Sequence, residues 1–447
     1  MTSNRLLIKN VRNIDPGQKT DTTGDIYIVE GLIHSTGKLS IKEKCDVIDG
    51  GGLIACPGFI DLHCHLREPG QEHKETIASG AAAAAKGGFT AICCMPNSLH
   101  PVDNLSVVEY IKRKAAGSAA ISVLPVGCLT RGRSGKEITE MAELAGAGCI
   151  GFSDDGCSVA SSRIMSLALE YAASLDLPVI DHCEDAELSQ GGQVNDGWVA
   201  VRLGLKGIPA AAEEAIVARD IALAEMTGAR LHLTHISTKG SVELIRAAKS
   251  KGFKVTADTT PHHLTLTAEN VIINNPRPGI PLSYDTCCKV NPPLRAKEDV
   301  IALIRGLNDG IIDSIATDHA PHTAEDKLCE FESASFGISG FETAFGVLMT
   351  LVHENKMSLM GLIECLTAAP AAILGDRPGV TATLKPGSPA NITLLDIDRE
   401  WTVNSAEFLS WGKNTPYNGK LLKGRVMGTL HSGKLVYNDT SLNISGA

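Results

Sequence analysis

A chain of 447 residues, 43% hydrophobic and 21% charged, with no long low-complexity tract, describes an ordinary globular protein too long for one simple domain. Its 41 basic and 51 acidic residues leave a net charge of −10, and no basic stripe interleaves with aromatics, which argues against a nucleic-acid surface. There is no run of about 18 apolar residues to span a membrane, and Met1-Thr2-Ser3-Asn4-Arg5 leads into a strand rather than a signal peptide. The thirteen cysteines lack the spacing of a zinc knuckle or a secreted disulfide framework, so a cytoplasmic protein with reduced core thiols is expected.

Taken in chain order, 5–9, 25–29 and 46–49 read as short strands broken by turns, and the style returns near the C-terminus at 389–396 and 424–430. Between them, apolar strands alternate with helical stretches. Eight such units are expected, with strands at 58–65, 89–97, 121–130, 148–156, 178–185, 230–238, 254–263 and 314–322. The predicted fold is α/β: a (β/α)8 TIM-like barrel over 57–378, with a small β-sandwich assembled from 1–56 and 379–447. The alanine run Ala81 to Ala85 belongs to a helix.

In Gly58-Phe59-Ile60-Asp61-Leu62-His63-Cys64-His65-Leu66-Arg67, alternation along a strand puts His63 and His65 on one face and turns Cys64 away. Four later strand ends are also polar: Ser153-Asp154-Asp155-Gly156, Asp181-His182-Cys183-Glu184, Thr234-His235-Ile236-Ser237 and Ala316-Thr317-Asp318-His319. A lone histidine at a strand end is more often a core residue than a ligand. Candidates on five strand ends of one barrel converge instead on its active face. One divalent ion, zinc by ligand type, can take His63, His65 and Asp318; a second can take His182 and His235, with Asp155 as the bridge. Asp318 is also placed to move a proton as general base.

His232, three residues before His235, is read as structural, because a regular strand cannot turn both to the axis. His262 and His263 close the seventh strand without an obvious partner, and His34, His73, His100, His353 and His431 fall off the strand ends. Arg67 shares the mouth with His65 and offers a fork for a carboxylate, while Asn97, Asn291 and His322 add polar contacts, together describing a small anionic substrate. The basic run Arg131-Gly132-Arg133-Ser134-Gly135-Lys136 lacks phosphate-loop spacing and is read as a solvated loop.

These motifs, with Asn291-Pro292-Pro293-Leu294-Arg295 and Thr317-Asp318-His319-Ala320-Pro321-His322, are similar to those of the dihydroorotases, in the type I branch of the cyclic amidohydrolase family. The resemblance runs from about residue 5 to 438. It implies reversible ring closure of N-carbamoyl-L-aspartate to L-dihydroorotate in pyrimidine synthesis, and one or two zinc ions held by His63, His65, Asp155, His182, His235 and Asp318. It implies Asp318 as the acid/base, and substrate held by Arg67, Asn97, Asn291 and His322 with backbone at Phe336 and Gly337.

By the same resemblance, the loop Thr323 to Gly340 is a lid, and a homodimer or a complex with aspartate carbamoyltransferase is a possible assembly. Two departures stand out. The fourth strand region, Cys149 to Asp154, has no lysine to carry the carboxylated bridge many relatives use, and the segment Asn274 to Pro281 is longer than the family's usual connection, at the pocket rim or an oligomer contact. The alternatives are another cyclic-amide hydrolase, hydantoinase- or allantoinase-like, and an inactive structural partner of the transferase.

Overall fold

The structure, a computed structural model, describes residues 4–273 and 283–446; the long connection at 274–281 lies outside the described residues. Strand and helix alternate through the middle of the chain. The first strand, Phe59–Cys64, precedes helix Ile77–Lys86, which opens on a reciprocal cap between Thr76 and Ser79 and buries most of its alanine run. Phe89–Cys94 with Leu105–Ser118 and Ser122–Pro125 with Met141–Ala147 form the next two units.

The fourth unit has helix Ser162–Ser174, and its strand is reduced to Phe152, which bridges Gly127 on one side and Val179 on the other. Val179–Asp181, Leu231–Leu233, Val255–Thr259 and Ser314–Ile315 supply strands five to eight, each followed by a long helix, Ala211–Thr227, Lys239–Ser250, Lys297–Asn308 and Ala344–His353. All the ladders are parallel. The ring closes where Cys64 pairs with His319, His65 N donating to His319 O at 2.8 Å. The expected (β/α)8 barrel is therefore present.

Every ladder is shorter than the sequence predicts at its carboxyl end, where polar residues leave the sheet, and the fourth loses 148–151 at its amino end as well. The seventh is the clearest case. It stops at Thr259, Thr260 caps a short helix over Pro261–Thr265, and His262 and His263 lie on that helix rather than on the strand.

Two apolar layers follow from strand alternation. Ala91, Cys93 and Met95 pack with Ile60, Leu62, Ile150, Ile180 and Ala316, whereas Ile92 and Cys94 join Val179, Leu231 and Val255 against the helices. The nine-stranded sheet of the sandwich is drawn from both ends of the chain, with Ile54–Pro57 lying between Arg5–Asp15 and Ile392–Thr402. Ile8, Ile26, Ile48, Ile392, Leu394 and Leu430 fill its interior. It is tied to the barrel by hydroxyls: Thr393 Oγ1 donates to Gly88 O at 2.6 Å and Thr429 Oγ1 to Ala85 O at 2.7 Å. No helix among the described residues is long and apolar enough to cross a membrane.

Candidate active site

At the carboxyl ends of the strands a cavity of about 250 Å³ is walled by His65, Arg67, Asn97, Asp155, Gly156, His182, His235, Asn291, Asp318, Ala320, His322, Phe336 and Gly337. His63 lies beneath it, 1% exposed. His63 Nε2 stands 3.2 Å from Asp155 Oδ1 and 3.7 Å from Asp318 Oδ1, and His65 Nε2 stands 3.0 Å from Asp318 Oδ1 and 3.7 Å from Asp155 Oδ2. His182 Nδ1 and His235 Nε2 are 2.9 Å apart and reach Asp155 Oδ1 at 3.9 and 3.8 Å. The structure thus brings together all six residues expected to ligate metal, with Asp155 between the two groups.

Three of the side chains enter through strained backbone. Arg67, His235 and Asp318 have φ of 60°, 41° and 46°, a region non-glycine residues seldom adopt. At His235 this breaks strand alternation. His232 does face the interior, where Nε2 lies 2.8 Å from Asp258 Oδ2 and Nδ1 2.9 Å from Thr256 Oγ1. His235 joins it on that side because its N–H is held by Asp258 Oδ1 at 2.6 Å. The expectation that only one of the two could face inward assumed a regular strand, and the strand ends at Leu233.

The residues fit a divalent cation. Ligand atoms of His63, His65 and Asp318, and of His63, Asp155 and His235, gather within 4.8 Å of one another, and His63 Nε2 is buried without a hydrogen-bond partner. Burial disfavours the His63 imidazolium, yet Asp155 and Asp318 outweigh it and hold the ring up to about 9. Burial likewise works against the Asp155 carboxylate, and His63, His235 and His65 hold it well below the usual carboxylate range. Such a site favours added positive charge.

The far sides of the His63, His65 and His182 rings are also held, whereas His235 Nδ1 is buried without a partner. Thr234 Oγ1 lies 3.2 Å from both oxygens of Asp258, to which it can give its proton, and 2.8 Å from His63 Nδ1, which leaves His63 Nε2 to face the cavity. Glu184, whose role the sequence did not suggest, lies 2.9 Å from His182 Nε2 and accepts from Asn291 Nδ2 at 2.8 Å. Strand alternation two residues after His182 was the signal available for it. A third buried group, Asp181, Cys183 and Asp220, lies off the cavity and already has Arg219 2.8 Å from Asp220 Oδ1.

On the opposite wall, Arg67 Nε donates to Pro321 O at 3.2 Å, and no carboxylate among the described residues comes within ion-pair distance of its guanidinium. His322 Nε2 is 2.8 Å from Phe336 O and 3.3 Å from Arg67 Nη2, with Lys74 Nζ 3.3 Å from its Nδ1. Burial, then Arg67, Lys74 and Lys327, push the His322 imidazole down, so it stays neutral. The amides expected to face substrate are already engaged inside the site: Asn97 between His65 and Asp155, Asn291 with Glu184.

Gly337 N–H donates to Lys289 O at 2.9 Å. Its φ of 139° and the 2.6 Å separation between a Cβ built there and Ala320 Cβ explain the glycine. Arg133, in the run read as solvated, is half-buried and donates to Asp155 O, so that loop braces the turn carrying Asp155. Cys64 and Cys183 turn to Cys93 O and Asp181 Oδ2, off the cavity as expected.

A family model described as Dihydro-orotase-like matches residues 52–241. Curated dihydroorotases from Thermoanaerobacter sp. (strain X514) and Pelotomaculum thermopropionicum are 48% and 47% identical over 434 and 437 residues, each alignment covering 97% of this chain and 97% and 99% of the relative. Among solved structures, an L-hydantoinase (dihydropyrimidinase) from Arthrobacter aurescens superposes with a TM-score of 0.85 at 25% identity, covering 98% of this chain and 97% of that one. A dihydropyrimidinase from Brevibacillus agri superposes at 0.84 with 23% identity, covering 99% and 97%, a likeness of fold.

Proposed function

Because the chain belongs to the dihydroorotase family of cyclic amidohydrolases, we propose that this cavity is where it interconverts N-carbamoyl-L-aspartate and L-dihydroorotate. The enzyme is a metal-dependent hydrolase of pyrimidine biosynthesis. One relationship carries the assignment of the site: a cluster of histidines and carboxylates faces an unpaired guanidinium, Arg67, across a cavity of small-molecule size.

In this reading His63, His65 and Asp318 would hold one ion and His182 and His235 a second, with Asp155 available to both, in the manner of the type I branch. Imidazole and carboxylate donors suit zinc. A metal held there would supply a Lewis acid for the ring carbonyl and make a water more acidic. Asp318 moves the proton between that water and the ring nitrogen: in hydrolysis the nitrogen leaves with it, and in cyclisation the nitrogen gives it up. Arg67 pairs with the substrate carboxylate through a charge-assisted fork, and neutral His322, Asn97, Asn291 and the Phe336-Gly337 backbone fix the rest of the ring. Thr234, Asp258 and Glu184 hold the histidine rings in the tautomer that leaves one nitrogen free for metal.

The fold is shared with hydantoinases, so a cyclic amide without a carboxylate is the competing substrate class. Arg67 favours the acid, and the lysine-free fourth strand region is consistent with it. Purified protein of known metal content, offered L-dihydroorotate, hydantoin and allantoin, separates them: turnover of dihydroorotate alone is expected, and turnover of hydantoin alone contradicts the reading. An inactive partner role is disfavoured by the complete set of candidate ligands.

We further place the enzyme in the cytoplasm, with the barrel at 57–378 and the sandwich at 1–56 and 379–447. Its assembly is proposed to be a homodimer or a complex with aspartate carbamoyltransferase, which the sedimentation of the purified chain alone and with the transferase distinguishes.

A further inference from the structure

The cavity wall formed by Asn291, His322, Phe336 and Gly337 comes from two irregular segments, 284–291 and 322–337, neither of which belongs to the barrel ladders. They are laced together by two buried lysines, Lys289 and Lys327, exposed by 2% and 3%. Neither ammonium has a carboxylate partner among the described residues. Lys289 Nζ donates to Phe331 O at 2.7 Å and Glu332 O at 3.1 Å, and sits 4.5 Å above the Phe336 ring. Lys327 Nζ donates to Ser335 O at 2.6 Å, Thr286 O at 3.0 Å and Lys289 O at 3.3 Å.

Further bonds run between the same segments. Thr286 Oγ1 donates to Lys327 O at 2.6 Å, and Lys289 O accepts the Gly337 N–H. A buried ammonium is costly unless its donors are satisfied. Here the donors are spent on loop carbonyls that have no ladder to join, so the charge and the loop stabilise each other.

We propose that Lys289 and Lys327 are positioning residues for the substrate: an ammonium clamp that sets the Asn291 and Phe336-Gly337 wall at its distance from Arg67 without touching the metal centre. The proposal rests on the assignment of that wall to substrate binding. It also changes the reading of the 323–340 loop, which the lysines pin in place in this structure rather than leave free as a lid. Lys327 contributes to the field that keeps His322 uncharged, so the clamp shapes both the position and the polarity of that end of the cavity.

The test uses full-length, metal-loaded protein carrying Lys289→Met or Lys327→Met, with Thr286→Val as a milder variant that keeps both ammoniums and removes only the hydroxyl bond to Lys327 O. Three quantities are read: kcat and KM for dihydroorotate, metal content, and amide hydrogen exchange of 323–337 without substrate. The clamp predicts KM raised about tenfold or more in the lysine variants, consistent with the sensitivity of catalysis to small misplacements. It also predicts kcat within about threefold, unchanged metal content, and faster exchange in 331–337, with the same pattern weaker in Thr286→Val.

Unchanged KM with unchanged exchange overturns the proposal, as does a loss confined to kcat. If the lysine variants do not fold, Thr286→Val decides in the same terms. Wild-type protein that leaves dihydroorotate untouched counts against the substrate assignment, not the clamp, because the exchange measurement needs no substrate.

Discussion

Asn97 Nδ2 donates to Asp155 Oδ2 at 2.8 Å, so the amide expected to contact substrate also braces the carboxylate proposed to span the metal centre. Its other end is 2.9 Å from His65 Nδ1. Asn97→Ala is therefore expected to weaken metal retention by about 10- to 100-fold, the usual cost of losing a partner behind a ligand. Competition with a chelator measures this, and a change in KM alone with metal affinity intact would assign Asn97 to substrate only.

Arg67 is the one guanidinium of the cavity wall and is free of carboxylate partners among the described residues. Arg67→Met is expected to cost about 2 to 5 kcal/mol of substrate binding, read as a rise in KM, by loss of a buried charge-assisted pair. Steady-state kinetics at constant metal content checks it, and an unchanged KM removes Arg67 from the site.

Asp318 Oδ1 lies among His63 and His65, and its ionised form is favoured by them despite burial. Asp318→Asn keeps the shape and removes the proton acceptor. Turnover is expected to fall by about 10²- to 10⁴-fold, the span of general acid–base catalysis. Full turnover in the variant with metal bound would assign the proton step elsewhere.

Buried histidines set the acid limb of stability. Burial holds His263 down to about 4 and also pushes His322 down. Between the unfolded value near 6.5 and these lower folded values, the unfolded chain binds more protons than the folded one. Stability therefore rises with pH through that window and is lost as pH falls below about 6.5. Urea unfolding at pH 7 and pH 5 checks the sign, and His263→Gln is expected to flatten the slope; a slope unchanged in the variant contradicts this origin.

The barrel was legible because apolar runs and polar strand ends recur in step, and His63 with His65 followed from alternation alone. His235 was less transparent, since its inward turn depends on a positive φ and on Asp258, a residue of the next strand, neither of which a local pattern carries. The roles of Glu184 and of Arg133, read as solvated, are not legible for the same reason: their partners, His182 with Asn291 and the Asp155 carbonyl, are set by loops that the chain's periodicity does not describe. The shortening of every strand at its carboxyl end reflects the departure of polar residues from the sheet to line the cavity.

Metal held by these six residues is proposed to carry the dihydroorotase reaction. The most direct measurement strips the protein of metal and titrates divalent zinc back while following L-dihydroorotate turnover. Negligible turnover is expected without metal, rising to a plateau as one to two equivalents bind. Full turnover by the stripped protein, or a loaded protein that leaves dihydroorotate unchanged, would contradict it.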